Sequence, residues 1–463
     1  MMDDLYKNLA QALLGYVESP AGCGKTEAIF RAVRDYSTGT QLILTHTNAG
    51  VAALKKRFRE NNVPNEKYHI ETISGWAWSW VRKYPMNSGY NVEGELPNND
   101  DWRNIYIAAT KLIKKTFVRY VINNSYTGVI VDEYQDCTRS MHNLIYELKN
   151  ILPCRILGDP LQGIFGFDEN DPLIDWDVVK RDFVNQLGQL AIPHRWKNSG
   201  NEQLGKWIID NRNSFQENSF PDFDGSPIHS EHIDIQQFQS KLISIAKSTS
   251  GSICIIGPKH GNFQSAIITS LVNQGFKFIE SNDLSRVKKL IEKLIANVDV
   301  KKKGESVFQF IEYCFCGLGQ HKNFVHDILL GKSMRPKIQD RKNIYQKFNG
   351  GYEPKLILAL IDYLYINEIS CQRTDSVSCL TNILSTHINT GENLINIFNS
   401  EITSRRYSNQ RLHKRVLGTT LLLKGLEFDH SVVLYDHKGW GNNKDLYVAV
   451  SRGSKSVRIL QRT

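Results

Sequence analysis

With 463 residues, of which 41% are hydrophobic and 23% charged, the chain has enough apolar material for roughly two to four domains and reads as an ordinary globular protein. No apolar run approaches the roughly 18 residues that a membrane span needs, and the start Met1-Met2-Asp3-Asp4 has no basic-then-apolar leader, so a cytoplasmic protein without membrane contact is expected. The eight cysteines are scattered without a CxxC pair, which argues against a disulfide framework, a zinc site or an iron–sulfur site, while the formal net charge of +9 suits a polyanionic partner.

Asp4 to Leu14 reads as a helix. It leads through Tyr16-Val17 into Ser19-Pro20-Ala21-Gly22-Cys23-Gly24-Lys25-Thr26, a stretch with the chemistry of a phosphate cradle. Small residues let backbone N–H groups turn inward, Lys25 meets outer phosphate oxygens, and the Thr26 hydroxyl is a ligand for Mg²⁺. A helix from Lys25, with Ile29 and Val33 on one face, aims its positive end at the same phosphates. Ser19 stands where such a loop usually has Gly. The alternative is a Gly-rich strand-to-helix turn that binds nothing.

Gln41 to Thr45 is a second buried strand ending in His46-Thr47-Asn48, followed by a helix from Ala49 to Arg59, and His69 to Gly75 begins a third such unit. Strand, polar end and helix in repetition specify a parallel α/β sheet. Trp76, Trp78, Trp80 and Tyr84 form an aromatic concentration that is core by preference and a base-stacking surface by alternative. The segment 82–124 is polar, then helical from Trp102 to Val121. Gly128-Val129-Ile130-Val131 is a buried strand with Asp132 and Glu133 at its C-terminal end, where open α/β sheets bind ligands. Asp132 is placed to share Mg²⁺ with Thr26, and Glu133 to polarise the attacking water. A helix to about Leu152 and a strand from Cys154 follow. They lead to Gly158-Asp159-Pro160-Leu161-Gln162, whose amide is placed to sense a γ-phosphate, and to Phe165 and Phe167. Beyond Gly251, a strand ending at Gly257 and a helix from Asn262 to Gln274 form another unit. From Asp283 to Phe398 the pattern is helical, with Lys301-Lys302-Lys303-Gly304 a solvated loop by preference and a phosphate contact by alternative.

These stretches, together with Ile192-Pro193-His194-Arg195, Lys424-Gly425-Leu426-Glu427-Phe428 and Leu446 to Arg452, resemble in order and spacing the UvrD/Rep/PcrA-like superfamily-one DNA helicases. The resemblance implies an α/β fold of two RecA-like parallel-sheet lobes with shortened, mainly helical insertions. The first lobe would comprise 1–81 and 125–190, with a small insertion at 82–124; the second would comprise 191–282 and 410–463, with a helical insertion at 283–409. It further implies that ATP and Mg²⁺ bind at Ser19, Ala21, Gly22, Cys23, Gly24, Lys25, Thr26, His194 and Glu427, with metal at Thr26 and Asp132. Glu133, Gln162, Arg195 and Arg452 would be catalytic, the two arginines as fingers against the γ-phosphate. Thr45, His46, Thr47, Asn48, Thr72, Phe165 and Phe167 would touch DNA. Asp132-Glu133-Tyr134-Gln135-Asp136 with Met141 to Leu144 is similar, more narrowly, to the helicase-like subunit of Gabija anti-phage systems.

Departures from the family pattern gather on the DNA side: His46 replaces an aromatic, Ile73-Ser74 a Phe-His pair, Asp168 an Arg, and Leu421 and Leu422 a His and a Ser. On the ATP side Ser19 and His194 depart, and Asn8 and Gln11 are candidates for an adenine-reading amide. Two function classes follow. One is a motor moving 3′→5′ on single-stranded DNA, or on duplex with a 3′ tail, together with a protein partner such as a nuclease subunit. The other is a DNA-sensing regulatory ATPase with little unwinding of its own.

Overall fold

Leu42, Ile43 and Leu44, and likewise Val129, Ile130 and Val131, are completely buried, as expected of strands covered by helices on both faces. The computed structural model describes residues 2–90, 102–164, 169–216, 220–257, 265–279, 285–296, 299–348, 353–398, 401, 413–435, 440 and 443–462. The chain divides into two compact units, one over Met1–His232, Asn409–Arg411 and Leu423–Thr463, the other over Ile233–Ser408 and Leu412–Leu422.

In the first unit, strands Leu14–Glu18 (β1), Gln41–Thr45 (β2), Tyr68–Thr72 (β3), Gly128–Val131 (β4), Cys154–Gly158 (β5) and Gln186–Gln189 (β6) form a sheet of order β3-β2-β4-β5-β1-β6, parallel throughout. One strand, β5, separates β1 from β4, so the phosphate loop after β1 and the carboxylates after β4 flank the end of β5. That interposed strand is the RecA-like arrangement. Side-chain alternation along β2 and β4 divides the core. Leu42, Leu44, Val129 and Val131 join one cluster with Trp76, Trp80, Ile105 and Leu112, while Ile43 and Ile130 join another with Leu9, Ile29, Val33 and Phe58. The helices Trp102–Ile113 and Thr116–Ser125 bury their apolar stripes in the first of these clusters. Trp76, Trp78 and Trp80 are at most 9% exposed, so the indoles are core and not a stacking surface. The same unit holds the parallel pair Phe428–Tyr435 and Gly453–Arg462, with helix Asn443–Val450 as the crossover.

The second unit has parallel strands Ile253–Gly257, Arg415–Thr419 and Lys277–Phe278. It also has a helical core in which Val287, Ile291, Ile311, Leu360 and Leu380 are buried together. The triple lysine is not a loop: it lies in the first turn of helix Val300–Cys314, where Asp299 caps by accepting from the Lys301 N–H. A Cβ on Gly304 would come within 2.2 Å of the Leu329 carbonyl oxygen, so helix Lys322–Leu329 can approach only a glycine there. No helix among the described residues is long and apolar enough to cross a membrane.

Candidate nucleotide site

The phosphate loop leaves β1 with Ser19 fully buried, its N–H donating to the Gly158 carbonyl at 3.0 Å. Gly22 and Gly24 take φ of 68° and 90°, left-handed values that favour glycine, and the helix Lys25–Arg31 starts directly after. Gly22 is required twice over, because a Cβ there would lie 2.8 Å from the Trp196 ring and 2.9 Å from the Arg195 Cβ. The loop therefore runs tightly against the segment 194–196, and the Arg195 N–H donates to the Gly22 carbonyl at 3.2 Å. His194 lies beside Gly24, its ring carbon 3.3 Å from where a Cβ would sit. Trp196 anchors this segment by donating to the Gly453 carbonyl at 2.9 Å. Cys23 is buried and its thiol is pushed up to about 12, chiefly by burial, so it is a packing residue and not a nucleophile.

Lys25, 8% exposed, faces Glu133 with 3.7 Å between Nζ and Oε2. Burial works against its charge, but Glu133, Asp159 and Asp132 outweigh burial and raise its pKa. Glu133 has φ 55°, a left-handed conformation that costs a non-glycine residue on the order of 1 kcal/mol. Its N–H donates to Asp132 Oδ1 at 2.9 Å. Burial, and then the charge of Glu133, push the Asp132 carboxyl up to about 7. Burial acts the same way on Glu133, but Lys25 and Lys424 outweigh it and hold that carboxyl below its ordinary value. Asp132, which is buried, and the half-buried Glu133 concentrate negative charge at the end of β4, and with the hydroxyl of Thr26 in the first turn of helix Lys25–Arg31 they are hard-oxygen donors of the kind that suits Mg²⁺.

From Glu133 a continuous polar chain runs through the site. Gln135 donates to Glu133 Oε2 at 2.6 Å and accepts from the Asp159 N–H at 2.9 Å. Asp159, fully buried, accepts from Gln162 Nε2 at 2.9 Å. Gln162 Oε1 in turn accepts from Arg452 at 3.2 Å. Arg452 is 2% exposed and also donates to the Val448 and Leu426 carbonyls at 3.0 and 3.2 Å. Arg195 donates at 2.5 Å both to the Ser451 carbonyl and to Glu427. Lys424 forms a short ion pair with Asp136, at 2.5 and 2.6 Å, and also donates to the Gln162 carbonyl. Burial pushes Asp136 up to about 6, against the pull of Lys424.

The structure thus brings Lys25, Asp132, Glu133, Gln162, Arg195, Arg452 and Glu427 into one region, and joins Ala21 to it through Tyr447. Ala21 N–H donates to the Tyr447 hydroxyl at 3.1 Å. Asn8 is occupied elsewhere, donating to the Leu187 carbonyl at 3.2 Å, and Gln11 is exposed. The residues expected to touch DNA divide. Thr45 is 1% exposed; Thr47 and Thr72 cap their helices, accepting from Gly50 and Gly75 at 3.0 and 2.9 Å; Asn48 is exposed. His46 is half-buried, its Nε2 is buried without a hydrogen-bond partner, and burial, then Lys424, push its pKa down to about 3. Ile73 is buried and Ser74 is hydrogen-bonded to Tyr106 at 2.7 Å. Phe165, Phe167 and Asp168 lie outside the described residues. Sequence reasoning assigned no role to Asp159, Tyr447 or Lys424, although each stands in a quoted motif, and passed over Arg212, whose position carries no motif signal.

Residues 86–174 match the UvrD/REP helicase N-terminal domain, a span that holds Asp132, Glu133 and Gln162. Over 370 residues the chain is 22% identical to Gabija protein GajB of Bacillus cereus (strain VD045), covering 76% of this chain and 67% of that one. Two solved structures of the arterivirus nonstructural protein 10 helicase are also similar. The complex with DNA is 12% identical with a TM-score of 0.27 and coverage of 55% of this chain and 49% of the viral one. The other is 9% identical with a TM-score of 0.31 and coverage of 100% and 62%. The chain spans 49% and 62% of the length of these two viral helicases.

Proposed function

We propose that this UvrD-like helicase hydrolyses ATP at the site around Lys25, Glu133 and Arg452. In this reading each cycle drives 3′→5′ movement on single-stranded DNA, and the chain works with a protein partner, such as a nuclease, in anti-phage defence or DNA repair. The observation that carries this is the unbroken chain from Lys25 through Glu133, Gln135, Asp159 and Gln162 to Arg452. It joins a phosphate-binding cation, a carboxylate base, a sensing amide and a guanidinium.

The roles follow from the chemistry of phosphoryl transfer, which needs positioning and charge stabilisation more than covalent help. Lys25 holds phosphate oxygens that its present partner Glu133 leaves to it once a more highly charged anion enters. Glu133 orients the attacking water and takes its proton. Gln162, held from both ends of its amide, contacts the γ-phosphate. Arg195 and Arg452 offset the charge that develops in transfer, which a planar fork does better than an ammonium. Thr26 and Asp132 would hold Mg²⁺, which when bound offsets phosphate charge.

A second reading, a DNA-sensing ATPase with little unwinding, is favoured by the inward placement of Ile73 and the Ser74–Tyr106 bond, at positions where the resembling family contacts the strand. The experiment is ATP hydrolysis with and without single-stranded DNA, followed by strand displacement from duplex with a 3′ tail. Hydrolysis stimulated by DNA, salt-sensitive DNA binding, and weak displacement until a partner is added are expected. Absence of hydrolysis would remove the first reading and the second alike. Stimulated hydrolysis without displacement, even with a partner present, would select the second.

A further inference from the structure

Arg212, in the 3₁₀ turn Arg212–Phe215, donates from one arm of its guanidinium to Asp159 Oδ1 at 2.9 Å and from the other to the Tyr447 hydroxyl at 2.8 Å. Tyr447 closes the ring by donating to Asp159 Oδ2 at 2.9 Å. Each member of this ring also holds a part of the nucleotide site. The Tyr447 hydroxyl accepts from the backbone of Ala21 in the phosphate loop, and Asp159 accepts from the Gln162 amide. Side-chain exposure is 16% for Arg212 and 0% for Asp159, so the pair is largely shielded from solvent.

We propose that Arg212 is a positioning residue for nucleotide binding and turnover: its two arms set the phosphate loop through Tyr447 and the sensing amide through Asp159, so one side chain ties both to a common geometry. The proposal rests on the ATPase reading above and adds to it a residue outside every motif. A fork is suited to this because its two donor arms are rigidly related, so movement at Tyr447 is transmitted to Asp159. Asp159 is held below its ordinary carboxylate value although burial pushes the other way, and Arg212 is the largest influence holding it there, followed by Lys25. Without Arg212 the buried carboxylate would turn to Lys25 as its remaining cation. The phosphate-binding ammonium would then be drawn off its ligand.

The test measures the Kd of a fluorescent ATP analogue and steady-state ATP hydrolysis for the full chain, with Arg212→Gln, Asp159→Asn and the double variant. Arg212→Gln is expected to raise Kd by about tenfold or more and to lower kcat as well, because removing one partner of a buried pair leaves the other uncompensated. In the Asp159→Asn background the same change is expected to have little further effect, since the carboxylate that Arg212 balances and steers away from Lys25 is already gone. A role confined to folding would lower the melting temperature and the active fraction without moving Kd. Should Arg212→Gln fail to fold, Arg212→Lys, which keeps the charge and loses the fork, is expected to give an intermediate Kd. Wild-type Kd in whichever variant folds, or effects of Arg212→Gln and Asp159→Asn that multiply, would overturn the proposal. Failure of the wild-type chain to bind the analogue would instead overturn the ATPase reading itself.

Discussion

The phosphate side of the first unit and the strand ends after β2 and β3 carry similar polar residues but use them in opposite ways. At the phosphate side, side chains are spent on partners far away in sequence: Lys424 on Asp136, Arg452 on Gln162, Arg195 on Glu427 and Arg212 on Asp159. At the strand ends, Thr47 and Thr72 accept hydrogen bonds from the backbone three residues on. Long-range pairs fix segments of the chain relative to one another, whereas a cap stabilises only the helix that it begins. The first arrangement ties distant segments to one point; the second is local scaffolding.

The largest effect expected is from Lys25→Ala, which removes the buried ammonium from the centre of the long-range cluster. Nucleotide binding or turnover should be lost, and normal steady-state hydrolysis in that variant would show that the cluster is a structural ion-pair network. Arg195→Ala and Arg452→Ala come next, with ATP binding largely kept and turnover cut by up to about a thousandfold. Measured nucleotide affinity and kcat separate the two quantities, and normal turnover in both would return these arginines to packing roles.

His46 sits at a strand end but feels the charges of the cluster, so it tests where the boundary runs. Its folded pKa of about 3 lies below the ordinary histidine value of 6.5. The unfolded chain therefore binds a proton between these values that the folded chain refuses. Stability should fall as pH drops through about 6.5, by up to about 1.4 kcal/mol at one unit lower. The melting temperature of His46→Gln should be less sensitive to pH over that window, and identical profiles would show that burial and Lys424 do not depress the His46 pKa in the folded chain. The smallest effect belongs to Thr72→Ala, expected to cost about 1 kcal/mol of stability through loss of the cap. Its affinity for single-stranded DNA should stay unchanged; a selective loss of DNA binding at unaltered melting temperature would make Thr72 a strand contact.

Much of this was written in the local order of residues. The buried runs of β2, β4 and β5 select strands because apolar residues on both faces suit a sheet covered twice, and the intervening helical stripes make that sheet parallel. The phosphate loop and the acidic strand end are legible because small residues, a lysine and paired carboxylates are needed at fixed spacings along one short segment. The tryptophans were legible only in part: their spacing suits core and surface alike, and packing against Ile105 and Leu112 decided for core. The triple lysine misled because charge alone describes exposure and not secondary structure, and the cap at Asp299 made it a helix start. Tertiary structure alone decided the partners. Nothing near Arg212 in sequence marks it, since its two acceptors arrive from a strand end 53 residues earlier and a helix 235 residues later. The pairing of Lys424 with Asp136 spans 288 residues. A pattern of spacings can specify which elements form and which loop suits a phosphate. Which distant charges meet in the site depends on how those elements pack, and that is settled by the burial of the whole core and not by any one segment.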